Sequence, residues 1–111
     1  MVHNQSVNSL VSKMVNKCDE IIKDLDCKVI VQGDAASSFA IALSAFNRGR
    51  EIIHIEAGLR TYNLKSPFPE EGYRKMISHI SNIHFCPTIK SVENLKNEGI
   101  TENVHLVGNT I

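Results

Sequence analysis

The sequence predicts an α/β fold, with helices flanking a parallel sheet. Short runs rich in β-branched residues alternate with longer stretches whose apolar residues recur at helical spacing. Strands and helices alternating at this spacing form βαβ units, in which the strands run parallel. The 111 residues are enough for one domain, and 42% of them are apolar, which allows a core.

The first predicted element is a helix over residues 6–25, with Ser6 as a suitable N-cap. Its apolar residues recur at helical spacing and form one stripe: Val7, Leu10, Val11, Met14, Cys18, Ile21, Ile22 and Leu25. Doubly wound domains normally open with a strand, so we expect the chain to be a piece of a larger α/β domain. The stripe would then be the expected contact face for the missing neighbours.

Four strands and three more helices follow. The strands are predicted at residues 28–32, 51–57, 82–88 and 104–108. The helices are predicted at residues 35–48, from Pro69 onward, and at residues 89–98. Pro69 suits a first helical position because its missing N–H is no loss there. In the helix at 35–48, the residues Phe39, Leu43 and Phe46 are expected to face the core.

Charge and hydropathy exclude several classes of protein. Lys+Arg and Asp+Glu number 12 each, which argues against a nucleic-acid binder. No apolar run approaches the roughly 20 residues of a membrane helix, and no signal peptide is expected. Three cysteines without metal-type spacing indicate reduced thiols, so we expect a cytoplasmic protein. The glycines form neither a GxGxxG nor a P-loop pattern, so neither a dinucleotide site nor a P-loop is predicted.

Charged residues concentrate where the carboxyl ends of the predicted strands meet. Asp34 follows the first strand and Glu56 follows the second. The loop with Arg60 and the helix start with Glu70 and Glu71 lie on the same side. Ligands bind at this edge of open parallel sheets. We therefore expect these five residues to share one rim.

These residues also have structural interpretations. Asp34 could cap the second helix, and Glu70 and Glu71 could offset the dipole of the third. Glu70 and Arg74 are spaced to pair on the helix surface. Glu56 is harder to explain in this way, because a partly buried carboxylate needs a partner or a function.

The histidines, cysteines and serines indicate no second kind of site. His79, His84 and Cys86 could suggest a metal site, and His84 and Cys86 share a strand face. No fourth ligand follows at fitting spacing, so no metal is predicted. His54 is expected to be packed or hydrogen-bonded. The Ser pair at 37–38 lacks the Gly-x-Ser-x-Gly turn of a hydrolase.

Five motifs follow one another in a distinctive order. They are QGDAAS (32–37), HIEAGLRT (54–61), SPFPEEGYR (66–74), HFCPT (84–88) and VGNTI (107–111). In order and spacing, this series resembles the non-hydrolysing UDP-N-acetylglucosamine 2-epimerases from Val29 onward. Hydrolysing relatives have Glu-Gly-Gly and an Asp-rich segment where this chain has EAGLRT and SPFPEE. The resemblance therefore favours the reversible epimerase.

The resemblance implies a GT-B-like enzyme with two Rossmann-like domains. Residues 1–111 would be an incomplete N-terminal domain, without the C-terminal domain that carries a catalytic histidine and most UDP contacts. The implied reaction interconverts UDP-GlcNAc and UDP-ManNAc, for cell-surface polysaccharide biosynthesis, by elimination and re-addition of UDP. The intact enzyme would be a homodimer without a cofactor. Half a cleft cannot exclude water, so we expect the chain alone to be inactive.

The family pattern also implies roles for individual residues. The acidic catalytic residues, which transfer protons on the sugar, would be Asp34, Glu56 and Glu70. Nearby charged residues would bind substrate or orient those carboxylates: Arg60, Glu71 and Arg74. Which carboxylate is base and which is acid stays open, although a helix N-terminus keeps Glu70 ionised, as suits a base.

Three positions beside the predicted catalytic residues depart from the family pattern. Ala35 stands where Thr is usual, Tyr62 where Gly is frequent, and Tyr73 where Asn is usual. The alternative hypothesis, which follows from the expected absence of the C-terminal domain, is a truncated, non-catalytic remnant, or an interaction module that binds an intact epimerase subunit.

Overall fold

Four short apolar runs form a parallel sheet in the computed structural model, which describes residues 6–108. In chain order the strands are β1 (Val29–Gln32), β2 (Ile52–Ile55), β3 (Ile83–Cys86) and β4 (Val104–Leu106). They lie in the sheet in that same order. The helices are α1 (Val7–Ile22), α2 (Ala36–Asn47), α3 (Glu70–Ile80) and α4 (Ile89–Asn97). The predicted α/β class is confirmed; the end of the VGNTI motif, residues 109–111, lies outside the described residues.

The two faces of the sheet differ in exposure. Val31, His54 and His84 are register partners on one face, and none is more than 4% exposed. Ile30 and its partner Ile53 lie on the opposite face, where Ile30 is 63% exposed. Successive side chains of a strand point to opposite faces. The helices therefore cover one face, and no element within residues 6–108 covers the other, which we call the open face.

Helix α2 is buried through small side chains. Ala40, Ala42 and Ala45 are fully buried, because α2 packs against α1, α3 and the sheet at once. Phe46 is 54% exposed, so its predicted place in the core was wrong. Phe39 is half-buried and packs against the core cluster, as predicted. Alanine, rather than phenylalanine, allows the close approach of α2 to its neighbours.

Helix α1 ends at Ile22 rather than at residue 25. The guanidinium of Arg50 donates to the carbonyl oxygens of Ile22 and Leu25, each at 3.0 Å, and so ties the end of α1 to the segment before β2. At the other end, the Ser6 hydroxyl accepts the N–H of Ser9 at 3.0 Å, which confirms the predicted N-cap. Part of the apolar stripe of α1 packs on α2. The open face of the sheet is a second apolar surface, and the sequence did not indicate it.

Pro69 lies one position earlier in α3 than predicted. The helix begins at Glu70, and Pro69 is its N-cap. The Pro69 carbonyl accepts the N–H of Tyr73 at 3.2 Å, and the Pro67 carbonyl accepts the N–H of Glu71 at 3.1 Å. Proline therefore precedes the first turn instead of opening it.

Within residues 6–108, no helix is both long and apolar enough to cross a bilayer. In that same part of the chain, no three His, Cys, Asp or Glu side chains come together as a metal ion would require. Cys18, Cys27 and Cys86 are free thiols.

Candidate active site

Asp34 lies at the carboxyl edge of the sheet, directly after β1, and it does not cap α2. The N-cap of α2 is Ala35, whose side chain makes no capping hydrogen bond. The capping interpretation of Asp34 was therefore wrong. Its Oδ2 lies 3.4 Å from Nη1 of Arg74 on α3, with the Asp34 side chain one-third exposed. The carboxylate is oriented by an arginine and still faces solvent.

Glu56 ends β2 in a strained conformation. Its φ is +63°, in the left-handed region that non-glycine residues adopt only at a cost of about 1–3 kcal/mol. This turn ends the strand at Ile55, before the predicted end at residue 57. The Gln32 side-chain amide donates to Oε1 of Glu56 at 2.5 Å. Strain of this kind at a strand end is typical of functional sites.

The loop after Glu56 is pinned against α4. Gly58 has φ +86°, and a Cβ at this position would lie 2.4 Å from the carbonyl oxygen of Ser91. The Asn94 side chain, also buried, donates to the Gly58 carbonyl at 3.0 Å. Only glycine allows the backbone to pass this close, so the path of the loop is fixed at its start.

Glu71 is a fully buried carboxylate that organises the rest of this loop. It accepts the backbone N–H groups of Thr61, at 3.1 Å, and Tyr62, at 2.8 Å, and Nε of Arg74 at 2.6 Å. Burial raises the pKa of Glu71, but these donors outweigh burial and hold the pKa below its usual value. Glu71 is therefore ionised, and its place is structural: it joins the loop to Arg74.

Arg74 connects two of the predicted residues and leaves a third unpaired. It contacts Asp34 and Glu71, so the alternative surface pair between Glu70 and Arg74 does not form. Glu70 is half-buried in the first turn of α3, and its carboxylate makes no hydrogen bond or ion pair with residues 6–108. Asp34 and Glu56, by contrast, each have a side-chain partner.

Arg60 lies away from the expected rim. Its side chain is fully buried between α3 and α4, where it donates to both carboxylate oxygens of Glu98 and to the Ser78 hydroxyl. The structure therefore brings Asp34, Arg74 and Glu71 together and places Arg60 in the layer beneath. Sequence reasoning missed Glu98, although an acid at a helix C-terminus opposes the dipole and could have been noticed.

His54 supports the turn that carries Asp34. Its Nε2 lies 2.8 Å from the Gly33 carbonyl oxygen, which confirms the expected hydrogen-bonded role. Burial lowers the pKa of His54, so the neutral ring donates this hydrogen bond. The link fixes the end of β1 against β2.

Tyr73 fills the space beside Phe39. The two rings stack with centroids 4.9 Å apart and planes 10° from parallel, joining α2 to α3. This aromatic pair gives the unusual residue at position 73 a packing role.

A shallow cavity of about 450 Å³ lies at the opposite edge of the sheet, near Asn82 and Asn103, and contains none of the predicted site residues.

Asp34, Glu56 and Glu70 are three carboxylates at one edge of the sheet, and Arg74 orients Asp34. Such a set can accept and donate protons on a bound substrate. The sequence model of the UDP-N-acetylglucosamine 2-epimerase family matches residues 1–111. This chain belongs to that family. The predicted family and its isomerase class are therefore confirmed.

Individual epimerases are similar over the whole chain but are much longer. The UDP-N-acetylglucosamine 2-epimerase of Neisseria meningitidis is 42% identical over 114 residues, which cover 100% of this chain and 30% of that protein. The epimerase of Salmonella borreze is 39% identical over 113 residues, with the same coverage. The chain thus spans about 30% of the length of these relatives.

Solved epimerase structures share the fold. The N. meningitidis enzyme bound to UDP-GlcNAc superposes with a TM-score of 0.92 at 40% identity, over 99% of this chain and 31% of that one. The Methanocaldococcus jannaschii enzyme in complex with UDP-GlcNAc and UDP gives a TM-score of 0.90 at 35% identity, over 96% of this chain and 30% of that one. At these sequence identities, this chain and the solved enzymes share both the fold and the family.

Proposed function

We propose that this chain is the carboxylate-bearing part of the N-terminal Rossmann-like domain of a UDP-GlcNAc 2-epimerase. The observation that carries the proposal is the arginine-oriented carboxylate at the carboxyl edge: Arg74 holds Asp34 from one side and Glu71 from the other. Two structural relatives were solved with UDP-GlcNAc bound, which supports a nucleotide-sugar substrate. The intact enzyme would be a cytoplasmic homodimer with a second domain that completes the cleft.

The proposed reaction needs proton transfer at carbon 2 of the sugar. A carboxylate removes that proton, the bond between carbon 1 and the UDP oxygen breaks, and a double bond forms between carbons 1 and 2. UDP then adds back while a proton reaches carbon 2 from the opposite face, giving UDP-ManNAc. The carbon-2 proton is weakly acidic, so the step requires a positioned base.

The three carboxylates have distinct environments for this work. Glu70 has no partner within residues 6–108 and lies at a helix N-terminus, as suits a base. Asp34 is held by Arg74, and Glu56 is held by Gln32 on a strained backbone. Arg60 acts beneath this set, by fixing the loop, rather than on the substrate.

A hybrid enzyme tests the proposal. The matching segment of the N. meningitidis epimerase is replaced by residues 1–111, and conversion of UDP-GlcNAc is followed in D2O, together with deuterium incorporation at carbon 2. The hybrid is expected to convert substrate. Asp34→Asn, Glu56→Gln and Glu70→Gln are each expected to lower the rate by about 10²–10⁴-fold.

The matched control is Glu102→Gln, an exposed acid at the opposite edge of the sheet, which is expected to leave the rate unchanged. A folded hybrid without conversion or carbon-2 exchange would refute the proposal. The unmodified 111-residue chain, assayed in parallel, is expected to be inactive because it spans only about 30% of the length of the related enzymes.

The open face favours a second candidate function, that of a non-catalytic module which binds an intact epimerase subunit. Ile30 is 63% exposed on this face, beside the partly exposed Ile53. Surfaces of this kind bind other protein elements. Mixing the 111-residue chain with the intact N. meningitidis enzyme and measuring mass by light scattering tests this: a complex that Ile30→Lys abolishes would support it, and separate elution would exclude it.

A further inference from the structure

The side chain of Arg60 has no access to solvent. Its side chain is 0% exposed. Nε and Nη2 donate to the two oxygens of Glu98 at 2.8 and 3.1 Å, and Nη2 also donates to the Ser78 hydroxyl at 2.9 Å. Nη1 returns to the Leu59 carbonyl at 2.8 Å. A buried guanidinium is tolerated only with such compensation, and Glu98 supplies the only carboxylate bonded to it within residues 6–108.

Glu98 has an unfavourable interaction with the dipole of its own helix. It is the C-cap of α4, where the dipole disfavours an acid, and its side chain is 13% exposed. Burial raises the pKa of Glu98, but the Arg60 guanidinium outweighs burial and holds the pKa below its usual value. His79 Nε2 also lies 3.4 Å from Oε1. The position of Glu98 is thus explained by its partners and not by α4.

Glu98 holds the loop at a second point, Tyr62. The phenol of Tyr62 lies 3.3 Å from Oε2 of Glu98, and Tyr62 has a φ of +59°. Its backbone N–H, with that of Thr61, donates to Glu71. Glu98 therefore accepts hydrogen bonds from the side chains of Arg60 and Tyr62, the two residues that flank Thr61 in the loop.

We propose that Glu98 is a positioning residue for the epimerase site, which rests on the function proposed above. By fixing Arg60 and Tyr62, it presents the loop amides to Glu71. Glu71 in turn holds Arg74 against Asp34. Glu98 touches no substrate in this scheme; it acts through the loop.

Amide hydrogen exchange of the 111-residue chain tests this without any activity. Glu98→Gln is expected to reduce protection at the Thr61 and Tyr62 amides by about tenfold or more, relative to the His84 amide in the sheet, which donates to Asn103. Glu102→Gln, an exposed acid nearby, is expected to change neither. Unchanged protection at Thr61 and Tyr62, or an equal loss at His84, would overturn the proposal.

Kinetics of the hybrid enzyme give the second readout. Glu98→Gln is expected to lower kcat about tenfold with KM within about twofold, and Glu98→Asp to restore part of kcat. Equal kcat for Glu98→Gln and the parent hybrid would also overturn the proposal. An inactive parent hybrid would count against the proposed function alone, and amide exchange would then decide the role of Glu98.

Discussion

Arg74 reaches from α3 to the end of β1, where its Nη1 lies 3.4 Å from Oδ2 of Asp34. Its Nε simultaneously pairs with the buried Glu71 at 2.6 Å. The Arg74 guanidinium therefore fixes the carboxylate of Asp34, a predicted catalytic residue, relative to the buried carboxylate of Glu71.

Arg74→Lys in the hybrid enzyme is expected to lower kcat about 10–100-fold, because an ammonium cannot bond two carboxylates with the planar geometry of a guanidinium. Arg48→Lys is the matched control, since Arg48, at the end of α2, forms an exposed ion pair with Asp19 on α1. Steady-state kinetics provide the measurement. Equal kcat values for the two variants would show that Arg74 does not orient Asp34.

Acid should destabilise the chain through the buried His84. Burial lowers the pKa of His84 to about 4, while the unfolded value is about 6.5. The unfolded state therefore binds the proton first, so stability is lost as pH falls from about 6.5 towards 4. Urea midpoints measured across this range should decline.

His84→Gln should flatten that decline, although buried His54, whose pKa is also lowered, will retain part of it. His105→Gln, an exposed position in β4, is the control and should follow the parent chain. A parent chain whose midpoint is constant from pH 6.5 to 4 would contradict the buried, neutral state of His84.

Gly58→Ala should destabilise the chain by about 2–4 kcal/mol, because the new Cβ would meet backbone of Ser91 and because φ is positive. Gly72→Ala is a matched comparison in α3, where no atom lies within 4 Å of the added Cβ. It should stabilise by about 0.5–1 kcal/mol. Urea unfolding measures both, and a neutral Gly58→Ala would mean that the loop does not lie against α4.

Ala35→Thr should stabilise α2. Ala35 has the extended backbone of an N-cap but no side chain to accept an N–H from the first turn. Threonine would supply that acceptor, worth about 0.5–2 kcal/mol. Ala36→Thr, one residue inside the helix, is the control and should give no gain in thermal unfolding. Equal effects of the two substitutions would exclude capping.

The order and type of the elements could be predicted because the periodicity of the apolar residues is strong. The placement of Asp34 and Glu56 at one edge followed from strand topology alone. Neither prediction required knowledge of any side-chain direction, since parallel strands bring their carboxyl ends to one edge.

The direction of Arg60 could not be predicted in this way. Its long side chain can extend towards the rim or down between helices, and the choice depends on Glu98, which lies 38 residues away in sequence. The failure of Asp34 to cap α2 has the same origin, because Arg74 on another helix competes for the carboxylate. Tertiary partners, rather than local preference, decided both.

Every strand of this sheet pairs only with strands adjacent to it in the chain. Each pairing, such as Val29 with Ile52, nevertheless encloses a whole helix, so no strand pair can form from a tight hairpin. Parallel pairings of this kind form slowly. We therefore expect the pairing of β1 to β4 to limit the rate at which this segment folds, with the open face exposed while it proceeds.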